Sequence, residues 1–259
     1  MTPRLRAGLA LLCLLAGPAR AVEVATPREG LQLDLGAGPL LYPAYPGARI
    51  YRALPFPVIS GGYGPRVNFD VLDGLRITAL EAAGFSLGPA LRLRFGRRTA
   101  DDRAQLHGLR SFPDTVEAGG FVAYERGFFY ADATLTQDVA QAHQGLALEL
   151  RGLISLPMGP VGVEFGPELR VVDRRFAQSF FGIDPQNALA SGRPAYRASA
   201  GLERVGGIVS AEYRINPSLS LRGFVEWARL EGSAARSPLV QSGAVGQVYA
   251  GIFLVWRAW

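Results

Sequence analysis

The chain has 259 residues, 49% of them hydrophobic and 19% charged, with 32 glycines and a formal net charge of +5. Its 27 basic residues are all arginines, so no lysine is present for Schiff-base chemistry or for a P-loop. Arginines and acids are interspersed, with no basic cluster among stacking aromatics, which argues against nucleic-acid binding.

The amino-terminal segment reads as a secretory signal. Arg4 and Arg6 precede a short apolar stretch over residues 7–16, and Ala19-Arg20-Ala21 fits a small-x-small cleavage site, so removal after Ala21 is predicted. Arg4, Arg6 and Arg20 then leave with it, and the mature net charge is 5 − 3 = +2. Cys13, the single cysteine, leaves too, so the exported chain uses neither disulfides nor thiolate chemistry. Residues 22–259 are read as one domain.

No later apolar run reaches the length of a helical membrane span. Period-two alternation recurs instead. Phe85, Leu87, Pro89, Leu91, Leu93 and Phe95 share one face, opposite Ser86, Gly88, Ala90, Arg92, Arg94 and Gly96. The stretches 146–156 and 161–171 alternate in the same way. Such segments run to about 10 residues, against roughly five or six for strands of soluble proteins.

The connections sort by length. Short links rich in Gly, Pro or Asn fall near 62–65, 81–84, 126–127, 157–160 and 216–218. Longer ones fall near 43–52, 97–115, 140–144, 173–196 and 232–246. The two kinds alternate if a further tight turn near 72–75 divides 67–80 into two short strands. That division gives about twelve strands, an even number, as bacterial barrels require. The predicted fold is an all-β antiparallel transmembrane β-barrel with short periplasmic turns and longer outer loops. Its apolar face meets outer-membrane lipid, and its polar face lines the lumen.

Several stretches resemble the MltA-interacting protein (MipA/OmpV) family of Gram-negative outer membranes. They are Tyr42-Pro-Ala-Tyr-Pro-Gly-Ala48, Gly84-Phe-Ser-Leu-Gly-Pro89 with Phe95-Gly-Arg-Arg98, and Thr115-Val-Glu-Ala-Gly-Gly-Phe121. Phe180-Phe-Gly182, Ala190-Ser-Gly-Arg-Pro-Ala-Tyr196, Gly201, Ser237-Pro238 and the closing strand complete the set. The resemblance implies an outer-membrane barrel. The namesake is described as a scaffold between a lytic transglycosylase and a murein synthase, which makes such enzymes candidate partners. It supplies no catalytic motif.

Enzymatic chemistry finds little support in the residues. The two histidines, His107 and His143, fall in predicted outer loops, and no Gly-x-Ser-x-Gly elbow exists. Neither a catalytic residue, a metal site nor a cofactor is assigned. The inward faces are expected to carry Arg92, Arg94, Asp132, Glu149, Arg151, Glu164, Glu168, Arg170, Glu212, Arg214, Arg222 and Glu226. These charges can line a solvated pore or pair into a filled interior. In the loop 173–196, Phe176, Phe180, Phe181 and Tyr196 are residue types that anchor interfaces, and they can equally fold the loop onto the barrel mouth. The sequence reads best as a structural or interaction protein of the envelope, with a narrow passive pore for small polar solutes as runner-up.

The last strand, Val248-Tyr-Ala-Gly-Ile-Phe-Leu-Val-Trp-Arg-Ala-Trp259, resembles the signal that barrel-assembly machinery recognises. Comparison with the family's usual ending sets Val248, Ala250, Ile252, Leu254 and Trp256 toward lipid. Gln247, Tyr249, Gly251, Phe253, Val255 and Arg257 then point inward. Trp256 takes the interfacial aromatic position, and Trp259 lies one residue beyond the family's usual terminus. Deleting Trp259 is therefore expected to reduce assembled barrel less than Trp256→Ala, read as folded protein in outer-membrane fractions.

Overall fold

The computed structural model describes residues 30–258. The predicted cleavage site at Ala19 and Ala21, and the terminal Trp259, lie outside the described residues. Thirteen strand segments are present: β1 (Leu31–Pro43), β2 (Tyr51–Tyr63), β3 (Val67–Asp70), β4 (Gly74–Ile77), β5 (Leu80–Ala82), β6 (Phe85–Arg94) and β7 (Thr115–Arg126). They continue with β8 (Phe129–Asp138), β9 (Leu146–Met158), β10 (Val161–Val172), β11 (Gly201–Asn216), β12 (Leu219–Leu230) and β13 (Gly246–Arg257). β4 and β5 are two parts of one stave, both pairing with β6, so the wall has twelve staves. Neighbours pair antiparallel in chain order, and β1 closes on β13. Closure matters in hydrocarbon, where an unpaired peptide group has no water to bond.

Alternation decides which side of the wall each residue takes. On β13, Ile252, Leu254 and Trp256 are exposed on the outer surface while Gln247, Phe253 and Val255 are buried inside. Leu87, Leu91 and Leu93 on β6, Val205 and Val209 on β11, and Leu221, Val225 and Trp227 on β12 continue the outer band. Among the described residues no helix is long and apolar enough to cross a membrane, so strands are the spanning elements.

Tight turns join the staves at one end, over 64–66, 83–84, 127–128, 159–160 and 217–218. The loops at the other end fold into short helices that the strand-like periodicity did not announce. They are α1 (Arg103–Leu106), α2 (Arg174–Phe181), α3 (Pro185–Ser191), α4 (Gly232–Ala235) and α5 (Pro238–Gln241). Asp173 starts α2, its side chain accepting from Phe176 N at 2.8 Å.

The division of 67–80 into two strands is present, with a geometry the link lengths did not convey. β3 and β4 have four residues each, so their turn stops well below the outer rim. Asp70 Oδ1 accepts from Leu72 N at 2.7 Å and from Asp73 N at 3.2 Å, and Gly74 takes a φ of +92°. The tip 71–73 turns into the lumen, where Val71 and Leu72 pack beside Leu40, Phe56, Val58, Phe253 and Val255.

Close approach between strands sets a sharp constraint on β7. A Cβ on Gly119 would lie 1.9 Å from the Leu135 carbonyl oxygen, whereas one on Gly152 would meet nothing within 4 Å. Gly119→Val is expected to abolish most of the heat-modifiable folded form on gels, and Gly152→Val to leave it at wild-type level.

Candidate functional site

Charge is concentrated inside the barrel on β4 and on β6 through β11, and many of its pairs join strands that are not neighbours. Arg94 on β6 reaches Glu149 on β9 at 3.0 Å, and Arg92 also bonds Glu149. Arg170 on β10 reaches the same carboxylate at 2.9 Å, so one buried glutamate holds three guanidinium groups. Arg94 further bonds Glu117 on β7 at 2.5 Å. Arg151 on β9 and Arg76 on β4 share Asp132 on β8, each at 3.0 Å. The inturned hairpin joins in, with Asp73 at 3.1 Å from Arg151 and 3.9 Å from Arg92. Arg170 lies 3.6 Å from Glu203.

Counted along these contacts, Arg76, Arg92, Arg94, Arg151 and Arg170 face Asp73, Glu117, Asp132, Glu149 and Glu203: five charges of each sign. His143 adds no charge. Its Nδ1 accepts from Gly145 N at 3.1 Å, which leaves Nε2 as the N–H donor to Glu117 at 3.0 Å. The buried acids Glu117, Asp132, Glu149 and Glu203 need partners, because an unpaired carboxylate out of water is strongly disfavoured, whereas Asp73 is exposed at the hairpin tip.

The remaining predicted lumen charges form smaller groups. Glu168 and Glu226 flank Arg204, at 3.5 and 2.5 Å. Arg222 bonds Asp34 at 2.5 Å and Glu212 at 3.3 Å, and Arg257 reaches Asp34 at 3.4 Å. Glu164 accepts from Ser155 Oγ, and Arg214 donates to the Gly159 carbonyl beside a tight turn. Sequence reasoning missed Asp73, Arg76, Glu117, Glu203, Arg204 and Asp34. Glu117 and Asp34 were readable from alternation. Glu203 and Arg204 sit at a register shift opposite Arg170 and Val171, and there simple alternation fails. Arg76 lies on a strand too short to show a period.

The loops close the outer mouth over this network. Phe176, Phe180 and Phe181 of α2 are buried with Phe112, Leu230, Ala234 and Val240. They point into the cap, not out of it. Phe176 and Phe180 stack at 4.4 Å, and the Phe176 ring lies 5.3 Å from the Arg94 guanidinium, so the cap rests on the network. Tyr196 is half-buried and donates to the Ser233 carbonyl at 2.7 Å. Ser237 Oγ donates to the Phe181 carbonyl at 2.6 Å, and Gln247 Oε1 accepts from Gly47 N at 3.0 Å. Arg97 is buried in the cap, donating to the carbonyls of Phe180 and Arg110, and burial pulls its guanidinium down to about 10. Of the two histidines, His143 is the buried one, inside the cap against Phe176 and Phe180, while His107 is exposed. Among the described residues no cluster of His, Cys, Asp and Glu could hold a metal ion.

Replacing Glu149 by Gln leaves three arginines without their shared counter-charge, and a loss of about 3–5 kcal/mol of stability is expected. The exposed pair of Arg98 and Asp114, at 3.0 Å, provides the control, and Asp114→Asn is expected to change stability by less than about 1 kcal/mol. Urea midpoints of the barrel in detergent measure both.

No curated protein sequence matches the chain significantly. Among solved structures, a bacterial polysaccharide outer membrane secretin is similar over 87% of this chain and 98% of its own, at 9% identity and a TM-score of 0.44. An outer membrane channel from Pseudomonas putida F1 matches 90% of this chain and 97% of its own, at 10% identity and a TM-score of 0.45. OprD of Pseudomonas aeruginosa matches 90% and 97%, at 8% identity and a TM-score of 0.32. The family model described as MltA-interacting protein MipA matches residues 35–258. With an apolar-walled barrel and that match over nearly all its described residues, the chain is an outer-membrane barrel protein and belongs to the MltA-interacting protein MipA family.

Proposed function

We propose that this protein is an interaction protein of the cell envelope: a closed barrel that anchors partners at the membrane, not a passage for solutes. The observation that carries the reading is the set of charges paired across the lumen beneath the cap. A solute path needs hydrated charges that an entering solute can engage, whereas here the charges are bonded to one another across the lumen and the cap covers them. The family's description as MltA-interacting supports a murein lytic transglycosylase as the partner class, and the resemblance to the namesake adds a murein synthase as second partner. Such enzymes work in the periplasm, so the docking surface is the set of tight turns. There Arg126 and Phe128 stand exposed, both residue types that anchor interfaces.

Two measurements test this. Planar-bilayer recording of the purified protein is expected to show no stable single-channel conductance, and a stable conductance would overturn the closed-anchor reading. Photo-crosslinkers placed at Arg66, Phe128 and Pro160 in living cells are expected to capture a murein-processing enzyme. Recovery of none from any of the three positions would overturn the partner assignment.

A further inference from the structure

The wall of the barrel is incomplete in its outer half. β3 pairs with β2 only over 60–63, and β4 pairs with β6 only through Leu75 and Arg76. Above those pairs, residues 51–58 of β2 and 92–94 of β6 have no partner strand on their facing sides among the described residues. Contacts bridge the gap at the rim. Arg52 reaches Asp101 at 3.3 Å, and the Tyr42 and Phe95 rings stack at 6.1 Å. The result is a notch with the hairpin tip 71–73 as its sill. Tyr51, Leu91, Leu93 and Phe95 are exposed around it, so it opens onto lipid.

The sequence is fitted to leave this edge open. Val71 N donates to the Ile59 carbonyl, so the backbone of odd-numbered residues on β2 faces the hairpin side. Tyr51, Ala53, Pro55 and Pro57 therefore face the notch. The two deepest in the membrane are prolines, which have no N–H to leave unpaired in hydrocarbon. Behind the notch the inner wall changes character. Phe56, Val58, Phe253, Val255 and Leu40 make an apolar surface bordered by the Arg222–Asp34 pair, while the opposite wall carries Arg92 and Arg151.

The hairpin tip covers both. Val71 and Leu72 lie on the apolar surface, and the Asp73 carboxylate lies between Arg151 and Arg92. An apolar segment ending in a carboxylate is also the chemistry of a long-chain fatty acid. The network balances at five charges of each sign only when Asp73 is counted. Displacing the tip thus leaves one guanidinium charge unmatched. We propose that the notch is a binding site for long-chain fatty carboxylates. The acid enters from the bilayer and takes the place of the tip, its chain on Phe56, Val58 and Phe253 and its carboxylate on Arg92 and Arg151. This function goes beyond anchoring and does not depend on any murein enzyme.

The test uses the full protein, delipidated in detergent and checked for folding by heat-modifiable migration. Titration with cis-parinaric acid is expected to give saturable binding, with palmitate displacing it at about tenfold lower concentration than cetyl alcohol, because only the acid forms charge-assisted bonds. Asp73→Asn weakens the resident competitor and is expected to tighten binding by about threefold or more, while Arg151→Gln loosens it about tenfold. A diazirine-bearing fatty acid is expected to label peptides containing Phe56 or Phe253. Absence of saturable binding, equal displacement by acid and alcohol, unchanged affinity in Asp73→Asn, or labelling confined to lipid-facing positions such as Val225 would each overturn the proposal. Displacement by lysophosphatidate at lower concentration than palmitate would overturn the carboxylate assignment.

Discussion

A peptide group in hydrocarbon has no water to turn to, and the architecture of this protein follows from that single constraint. It makes the sheet close on itself through β1 and β13, with twelve staves each bonded to its chain neighbours. It also bears on the outer gap between β2 and β6, where the ladder stops. Where β3 and β4 are too short to continue the wall, β2 presents Pro55 and Pro57 to the gap, so the deepest positions have no donor to strand there. At these two positions proline stands on an edge.

The interior obeys the complementary rule that charge out of water must be matched. Glu149 organises the lumen because three arginines from β6 and β10 converge on it, and Asp132 does the same for Arg76 and Arg151. The bonds from Arg92 and Arg94 to Glu149, and from Arg76 to Asp132, tie together strands that the ladder does not join. The cap depends on them in turn, since Phe176 lies on Arg94 and His143 lies between Glu117 and the phenylalanines of α2. Outer loops, lumen and wall are thus one mechanical unit, with an apolar sector around Phe56 and Phe253 that Arg222, paired with Asp34, borders.

Much of this was legible in the sequence, and the exceptions have physical reasons. The strands at 85–94 and 161–172 declared themselves through alternation, and the parity of tight and long links placed a turn near 72–75. Alternation reports which side a residue faces, but not how high a turn stands in the wall. Asp70-Val-Leu-Asp-Gly74 has the same turn chemistry whether it faces water or the lumen, so the inward position of Asp73 had no sequence signal. The same holds for Phe176, Phe180 and Phe181, whose residue types suit an interface and a core equally. Burial by the folded loop separates the two, and only the three-dimensional cap supplies it.

Asp34 bears on how such a barrel finds its final alignment. It stands opposite Arg257 across the β1–β13 seam and also bonds Arg222 of β12, while higher along the seam the inner surface is apolar. Apolar contacts tolerate sliding, since one aliphatic side chain replaces another at small loss. A two-residue slip, which keeps every side chain on its proper side, would bring Gln32 or Gly36 opposite Arg257 in place of the carboxylate. One acidic residue on the first strand therefore acts as a vernier mark for the last. It lets the closing step recognise the correct alignment among those that alternation alone would accept.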